Sequence, residues 1–192
     1  MFRRTATAIF TALVLIAANP ATAEEYQIDT KGAHASIKFK ISHLGYSWLY
    51  GSFNTFKGGF SYDENNPSAA SASVEIDTAS VDSNHAERDK HLRSGDFLDV
   101  DKFPTASFVS TSFENQEGGN GILNGDLTLH GVTRPISIAV THIGAGKDPW
   151  GGYRRGFSGN TKLLLTDFGI TKNLGPASAQ VELILDVEGI RQ

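Results

Sequence analysis

Apolar and polar side chains alternate one for one along stretch after stretch of this chain, the spacing of strands with one buried and one wetted face. Ile37, Phe39 and Ile41 alternate with Ser36, Lys38 and Lys40, and Val74 and Ile76 with Ser73, Glu75 and Asp77. Leu127 and Leu129 alternate with Asp126 and Thr128, and Ile136, Ile138 and Val140 with Ser137, Ala139 and Thr141. Near the C-terminus Val181, Leu183, Leu185 and Val187 face away from Glu182, Asp186 and Glu188, with Ile184 out of phase. Turn chemistry is expected at Gly58-Gly59, Asn65-Asn66-Pro67, Gly118-Gly119-Asn120-Gly121, Gly144-Ala145-Gly146 and Asp148-Pro149-Trp150-Gly151-Gly152. Such strands bury their apolar faces by stacking two sheets or by curling one sheet shut, and periodicity alone leaves both solutions open. An eight-stranded closed barrel would have an interior that side chains just fill or that holds one slender ligand.

One segment departs from this pattern. Asn84-His85-Ala86-Glu87-Arg88-Asp89-Lys90-His91-Leu92-Arg93 is charged and helix-compatible. Asp82, Ser83 and Asn84 offer N-cap side chains, Glu87 stands in a capping-box relation to Asn84, and Gly95 can end the turn. A short helix among strands is expected either to connect two of them in solvent or to cover something they leave open.

The N-terminus carries Arg3 and Arg4, an apolar run from Ile9 to Ala18, the helix breaker Asn19-Pro20 and the small-x-small site Ala21-Thr22-Ala23. These are the parts of a Sec-type leader over residues 1–23, cleaved after Ala23, and they imply an exported protein of one domain over residues 24–192. The apolar run is short for a bilayer span and nothing later is longer, so no stable membrane anchor is expected. Removing Arg3 and Arg4 from 17 basic residues leaves 15 against 21 acidic ones, formally −6 where the whole chain carries −4. Such a surface has no basic patch through which counterion release could drive nucleic-acid binding. The absence of cysteine excludes disulfides, thiolate metal sites and thiol nucleophiles together. Stability must therefore come from the core, and a chain of this length buries roughly 70% of its extended surface.

Catalytic and metal patterns are weak. His85 with Asp89, and Glu87 with His91, are four apart and would share helix faces, but the two histidines are wrongly spaced for a zincin, and surface ion pairing explains them better. Gly146-Lys147 lacks the leading glycine and the following hydroxyl of a phosphate loop, and there is no G-x-S-x-G elbow. No metal and no cofactor are expected.

Several motifs together resemble a known family. The run Ile41-Ser42-His43-Leu44-Gly45-Tyr46-Ser47-Trp48-Leu49-Tyr50-Gly51-Ser52-Phe53, the segment 84–93, Asp96-Phe97-Leu98, Lys102-Phe103-Pro104, 125–135 and Asp148-Pro149-Trp150-Gly151-Gly152 are similar, in that order, to the bacterial YceI-like proteins. The resemblance runs from about Tyr26 to about Gly189. It implies a lipocalin-like closed antiparallel barrel of about eight strands with a helical segment at one side, commonly a homodimer. It also implies a periplasmic protein that binds a long amphiphile, such as a polyisoprenoid or an isoprenoid quinone, in an apolar tunnel for carriage, storage or sequestration. On that reading Phe39, Ile41, Phe53, Phe60, Phe108, Leu127, Leu129 and Phe157 are candidate lining residues, with Leu44 and Trp48 near the turn. His43, Asn84, Arg88, Asp89 and Arg154 are candidates for the mouth. Two alternatives stand beside it: an enzyme on an apolar substrate with His43 or Asp89 as acid–base group, and a packed scaffold with no void.

Overall fold

The computed structural model describes residues 23–192. The expected leader thus lies outside the described residues except for Ala23. Strands β1 (Glu24–Ile28), β2 (Ser36–His43), β3 (Ser47–Phe53), β4 (Phe56–Tyr62), β5 (Ser71–Asp77) and β6 (Val81–Asp82) precede helix α1 (Ala86–Arg93). Strands β7 (Thr105–Asn115), β8 (Gly121–Leu129), β9 (Val132–Lys147), β10 (Tyr153–Leu164) and β11 (Gln180–Arg191) follow it.

All pairings are antiparallel, and they close into a ring in the order β1-β4-β5-β7-β8-β9-β10-β11 and back to β1. One edge of β11 is paired with β10 from Gln180 to Ile190, while the other serves two strands in turn. Its start pairs with β2, Val181 opposite Ile41, and its end with β1, Gly189 opposite Ile28. β1 and β2 are therefore two halves of one stave. β3 with β4, and β5 with β6, are broken in the same way. Counted as staves, the strands form an eight-membered up-and-down barrel, as expected from the resemblance, and the sandwich is set aside.

The alternation read from the sequence supplies the inward faces. Ile37, Phe39, Leu127, Ile138 and Val181 are buried, while Lys38, Asp126, Ser137 and Ala139 are exposed. Two of the glycine signals are corrected. Gly58-Gly59 and Gly144-Ala145-Gly146 lie inside β4 and β9, not in turns. Gly59 is there for close approach, since a Cβ would stand 2.8 Å from the Tyr26 carbonyl oxygen. Gly144 pairs with Gly156 beside a register shift that bulges β9 at Ile143. The other turn signals fall at chain reversals or in the 3-10 turns beside them.

The seam between the third and fourth staves is incomplete. β6 pairs only with Ser52 and Phe53, and β7 meets β5 only from Thr105 onward. Residues 83–104 fill the gap. Arg93 ties α1 to the frayed stave, its Nε donating to the Ala79 carbonyl at 2.7 Å and a terminal nitrogen to the Val81 carbonyl at 2.7 Å. Leu92, Leu98 and Val100 pack onto the core from this side. The helix covers what the strands leave open.

Its cap is one residue later than expected. His85, not Asn84, takes the N-cap position, its Nδ1 accepting from the Arg88 N–H at 3.3 Å. Asn84 instead adopts a left-handed φ of 62° and donates its N–H to Asp82. The side-chain pairs expected along the helix do not form either. Asp89 is turned towards Ser83, and His91 lies 2.7 Å from Asp96.

Large and small inward residues are matched between neighbouring strands. The Phe108 ring lies over Gly125, where a Cβ would come within 2.5 Å of that ring and of the Val109 carbonyl oxygen. Because the backbone oxygen cannot yield, Gly125→Ala is expected to cost ~1–3 kcal/mol, on the scale of overpacked cores. Urea denaturation should show that loss as a lower midpoint with an unchanged slope.

Candidate binding cavity

The barrel interior is not filled. Beneath α1 lies a cavity of about 340 Å³ whose walls are inward residues of β2, β3, β8, β10 and β11, among them Phe39, Ile41, Phe53, Leu127, Leu129, Leu163 and Val181. A smaller one of about 130 Å³ lies deeper, between Phe60, Tyr62, Phe108, Phe113, Phe157 and Val187. The two are stacked along the barrel axis. On β5, β7 and β11 the wall of one passes to the other at the next inward position: Ile76 to Val74, Ala106 to Phe108, Leu183 to Leu185.

The polar side chains that line the upper cavity, Ser42, His43, Arg88, His91 and Ser178, stand at its rim. The loop 165–179 is pinned to the β2–β3 turn there, the Ser178 hydroxyl donating to the Ser42 carbonyl at 2.7 Å and accepting the Leu44 N–H at 3.2 Å. Arg88 is held by Ser83 alone: Nε donates to its hydroxyl at 2.7 Å and a terminal nitrogen to its carbonyl. Its charge meets no carboxylate within 4.0 Å among the described residues.

Beyond the lower cavity an arginine is buried on the inward face. Arg155 is 2% exposed and shares the inward face of β10 with Phe157 and Leu163. Its guanidinium lies 4.4 Å from the Tyr62 ring and 5.9 Å from that of Tyr26. It donates to Glu64 and, at 3.4 Å, to the Tyr26 hydroxyl and to His142 Nε2. Burial works against its charge, but the bonds to Tyr26 and Glu64 outweigh that and hold its pKa above the ordinary value.

Eight of the sequence candidates line the upper cavity: Phe39, Ile41, His43, Leu44, Phe53, Arg88, Leu127 and Leu129. Phe60, Phe108 and Phe157 line the lower one. Four lie elsewhere. Trp48 is on the outer face of β3, because it is Leu49 that shares the inward period, and Lys40 Nζ stands 4.3 Å from its ring centre. Asn84 is exposed outside the barrel. Asp89 is buried but accepts from the Ser83 N–H and hydroxyl behind the helix. Burial would raise its pKa, yet those bonds and the Arg93 charge together lower it.

Arg154 is at the opposite end, pointing outward beside the inward Arg155. Its NH1 donates to Asp29 at 2.7 Å and to Glu188, and its Nε to Asp148 at 2.9 Å. Asp29, His34 and Glu188 bring ligand atoms within 4.8 Å of one another, but the Arg154 guanidinium already donates to both of these carboxylates. The sequence reading missed the helix-side wall, His91, Leu92, Phe97 and Leu98, as well as Ile170 and Leu174 from the loop. It also missed Arg155: two adjacent arginines carry no signal saying which one turns inward.

A closed eight-stave antiparallel barrel with an apolar interior and one covering helix defines a lipocalin-like fold. The chain matches the YceI-like domain model over residues 26–189, and it belongs to that family. It is 62% identical to a UPF0312 protein of Ectopseudomonas mendocina over 172 residues, 90% of each chain. To that of Azotobacter vinelandii it is 56% identical over the whole of both. Among solved structures, the YCEI protein of Campylobacter jejuni is 28% identical with a TM-score of 0.70, covering 79% of this chain and 90% of that one. BcnA of Burkholderia cenocepacia shares the fold at 20% identity, with a TM-score of 0.73 and coverage of 84% and 98%. So does a polyisoprenoid binding domain from Saccharophagus degradans, at 15% identity, a TM-score of 0.64 and coverage of 87% and 98%.

The Arg154 cluster gives a pH-dependent expectation. Hydrogen bonds from Arg154, then from His34 and the Gly32 N–H, hold the Asp29 carboxyl well below its ordinary value of 3.8. A lowered carboxylate stabilises the fold above its unfolded value and loses that contribution as pH falls through the folded one. Arg154→Leu should therefore lower the melting temperature by several degrees at pH 7. The gap from wild type should narrow below pH 3.8 in a pH series of thermal melts.

Proposed function

We propose that this protein is an exported binding protein that holds the chain of a long amphiphile, a polyisoprenoid or an isoprenoid quinone, in the stacked cavities and carries or sequesters it. The observation that carries this reading is the upper cavity. Core truncations lose roughly 24 cal/mol per Å³ of residual cavity, so an unfilled apolar cavity of about 340 Å³ forgoes a sizeable part of the ~5–15 kcal/mol by which an ordinary domain is stable. A ligand that fills the space restores those contacts.

The chemistry of the walls favours hydrocarbon over any polar guest. Withdrawing a chain from water gains roughly 0.8 kcal/mol per methylene, but a bilayer offers nearly the same, so exchange with a membrane is close to balanced. Selectivity then rests on the shape of the two cavities and on the head group at the rim, where Arg88 and His43 present donors to an oxygen. The name of the Saccharophagus domain and the leader motif of residues 1–23 support cargo class and export respectively.

Binding without catalysis is the simpler account of the rim. Ser178 spends its hydroxyl on the backbone of Ser42 and Leu44, and His91 engages Asp96, so neither forms a nucleophile–base pair with the other.

Mass spectrometry of an organic extract from natively purified protein should show an unmodified isoprenoid lipid in near-stoichiometric amount. Leu127→Asp should abolish its retention, and Ala106→Phe, which fills the cavity with apolar atoms, should reduce it at least tenfold in a protein with unchanged circular dichroism. Equal retention in the Ala106→Phe protein would count against the cavity as the binding site.

A further inference from the structure

The rim of the upper cavity carries apolar surface that the barrel itself does not use. Tyr46, Trp48 and Tyr50, on the β2–β3 turn and the outer face of β3, are 87%, 60% and 56% exposed. Leu44 and Leu174 belong to the cavity wall and to the outer surface at once, and they stand on the two loops that Ser178 ties together. The outward face of the β2–β3 ribbon thus runs without a break into the mouth.

Cations stand beside this patch. Lys40 lies against the Trp48 ring while its ammonium reaches Glu182 at 3.4 Å, and Lys172, two residues from Leu174, is paired with Asp96 at 2.6 Å. Two tyrosines, a tryptophan and a leucine flanked by lysines form the composition that settles at the boundary between lipid head groups and acyl chains. The opposite end of the molecule differs. There Trp150 and Ile143 are exposed, but Trp150 has the Arg154 guanidinium 5.2 Å from its ring and neither borders the cavity mouth.

We propose that the aromatic rim formed by the β2–β3 turn and the loop 165–179 docks on a lipid bilayer, with the mouth of the cavity facing the acyl chains. The inference rests on the carrier reading and states where that carrier loads. A hydrocarbon chain leaving the cavity crosses Leu44 and Leu174, so a surface seated on the rim must accept hydrocarbon, and a bilayer does. A rim docked this way spares the chain from passing through water. The net negative charge of the protein gives no attraction to anionic lipid, so the docking is apolar in character.

The chain contains two tryptophans, one at each end of the barrel, which makes the orientation measurable. Trp150→Phe leaves Trp48 as the sole reporter, and Trp48→Phe leaves Trp150. With phosphatidylcholine vesicles carrying brominated acyl chains, Trp48 emission should shift to the blue and be quenched, while Trp150 emission should not change. In co-flotation the double variant Tyr46→Ser, Trp48→Ser should lose at least tenfold in partitioning, and raising the salt should leave wild-type partitioning within twofold.

Both substituted side chains point away from the cavity, so an isoprenoid lipid supplied in detergent should be retained by the double variant as by wild type. Undiminished flotation of the double variant, quenching of Trp150 in place of Trp48, or no flotation of wild type would each overturn the inference. So would a Trp48 blue shift that grows with protein concentration in the absence of vesicles, which would place a second copy of the chain on the rim. Vesicle docking is read without cargo. An empty organic extract from a protein that still floats would therefore remove the carrier reading and leave the docking intact.

Discussion

Closure of the sheet on itself is the constraint from which the other features follow. A barrel needs every strand edge paired, and here the final strand meets the requirement by giving one edge to two partners, β2 along its first half and β1 along its last. The chain accommodates this by breaking three of its staves, at residues 29–35, 54–55 and 78–80. The third break leaves the seam beside β7 unpaired, and the helical segment exists to cover it. Because that cover is a helix and loops, its inner surface does not interdigitate with the sheet as a strand would. A void remains beneath it.

The same division separates rigidity from access. The deep half is sealed by stacked aromatics, Tyr26 against Phe60 with ring centres 4.8 Å apart and Phe157 edge-on to Phe60 at 5.5 Å. The other half is walled mainly by long aliphatic side chains from the strands and the helix, with few aromatic contacts among them. Aromatic stacking fixes geometry in the deep half, and flexible aliphatic side chains leave the wall of the upper half adaptable.

Much of the wall was legible in the sequence because a strand's period of two is a geometric fact about each residue. Phe39, Leu127 and Val181 turn inward for the same reason that Lys38, Asp126 and Glu182 do not. Stave number was not legible from the pattern, since a stave broken at Thr78–Ser80 reads as two short strands and long-range pairing leaves no local mark. The glycines of β4 and β9 read as turns because a close backbone approach and a chain reversal ask for the same residue. The helix was visible but its cap was not, since Asn84 takes a left-handed φ of 62° outside the helix and His85 falls at the N-cap position. Trp48 lies amid the motif that marks the family, yet one residue of phase separates it from the wall, and only pairing with Ser42 shows which side it takes.

The buried guanidinium of Arg155 makes the two ends of the interior unlike: it takes the inward position of β10 next beyond Phe157, clamped between tyrosine rings, while the other end has only the helix-side mouth. An occupant of the cavities would therefore enter and leave through one doorway, and two could not pass one another.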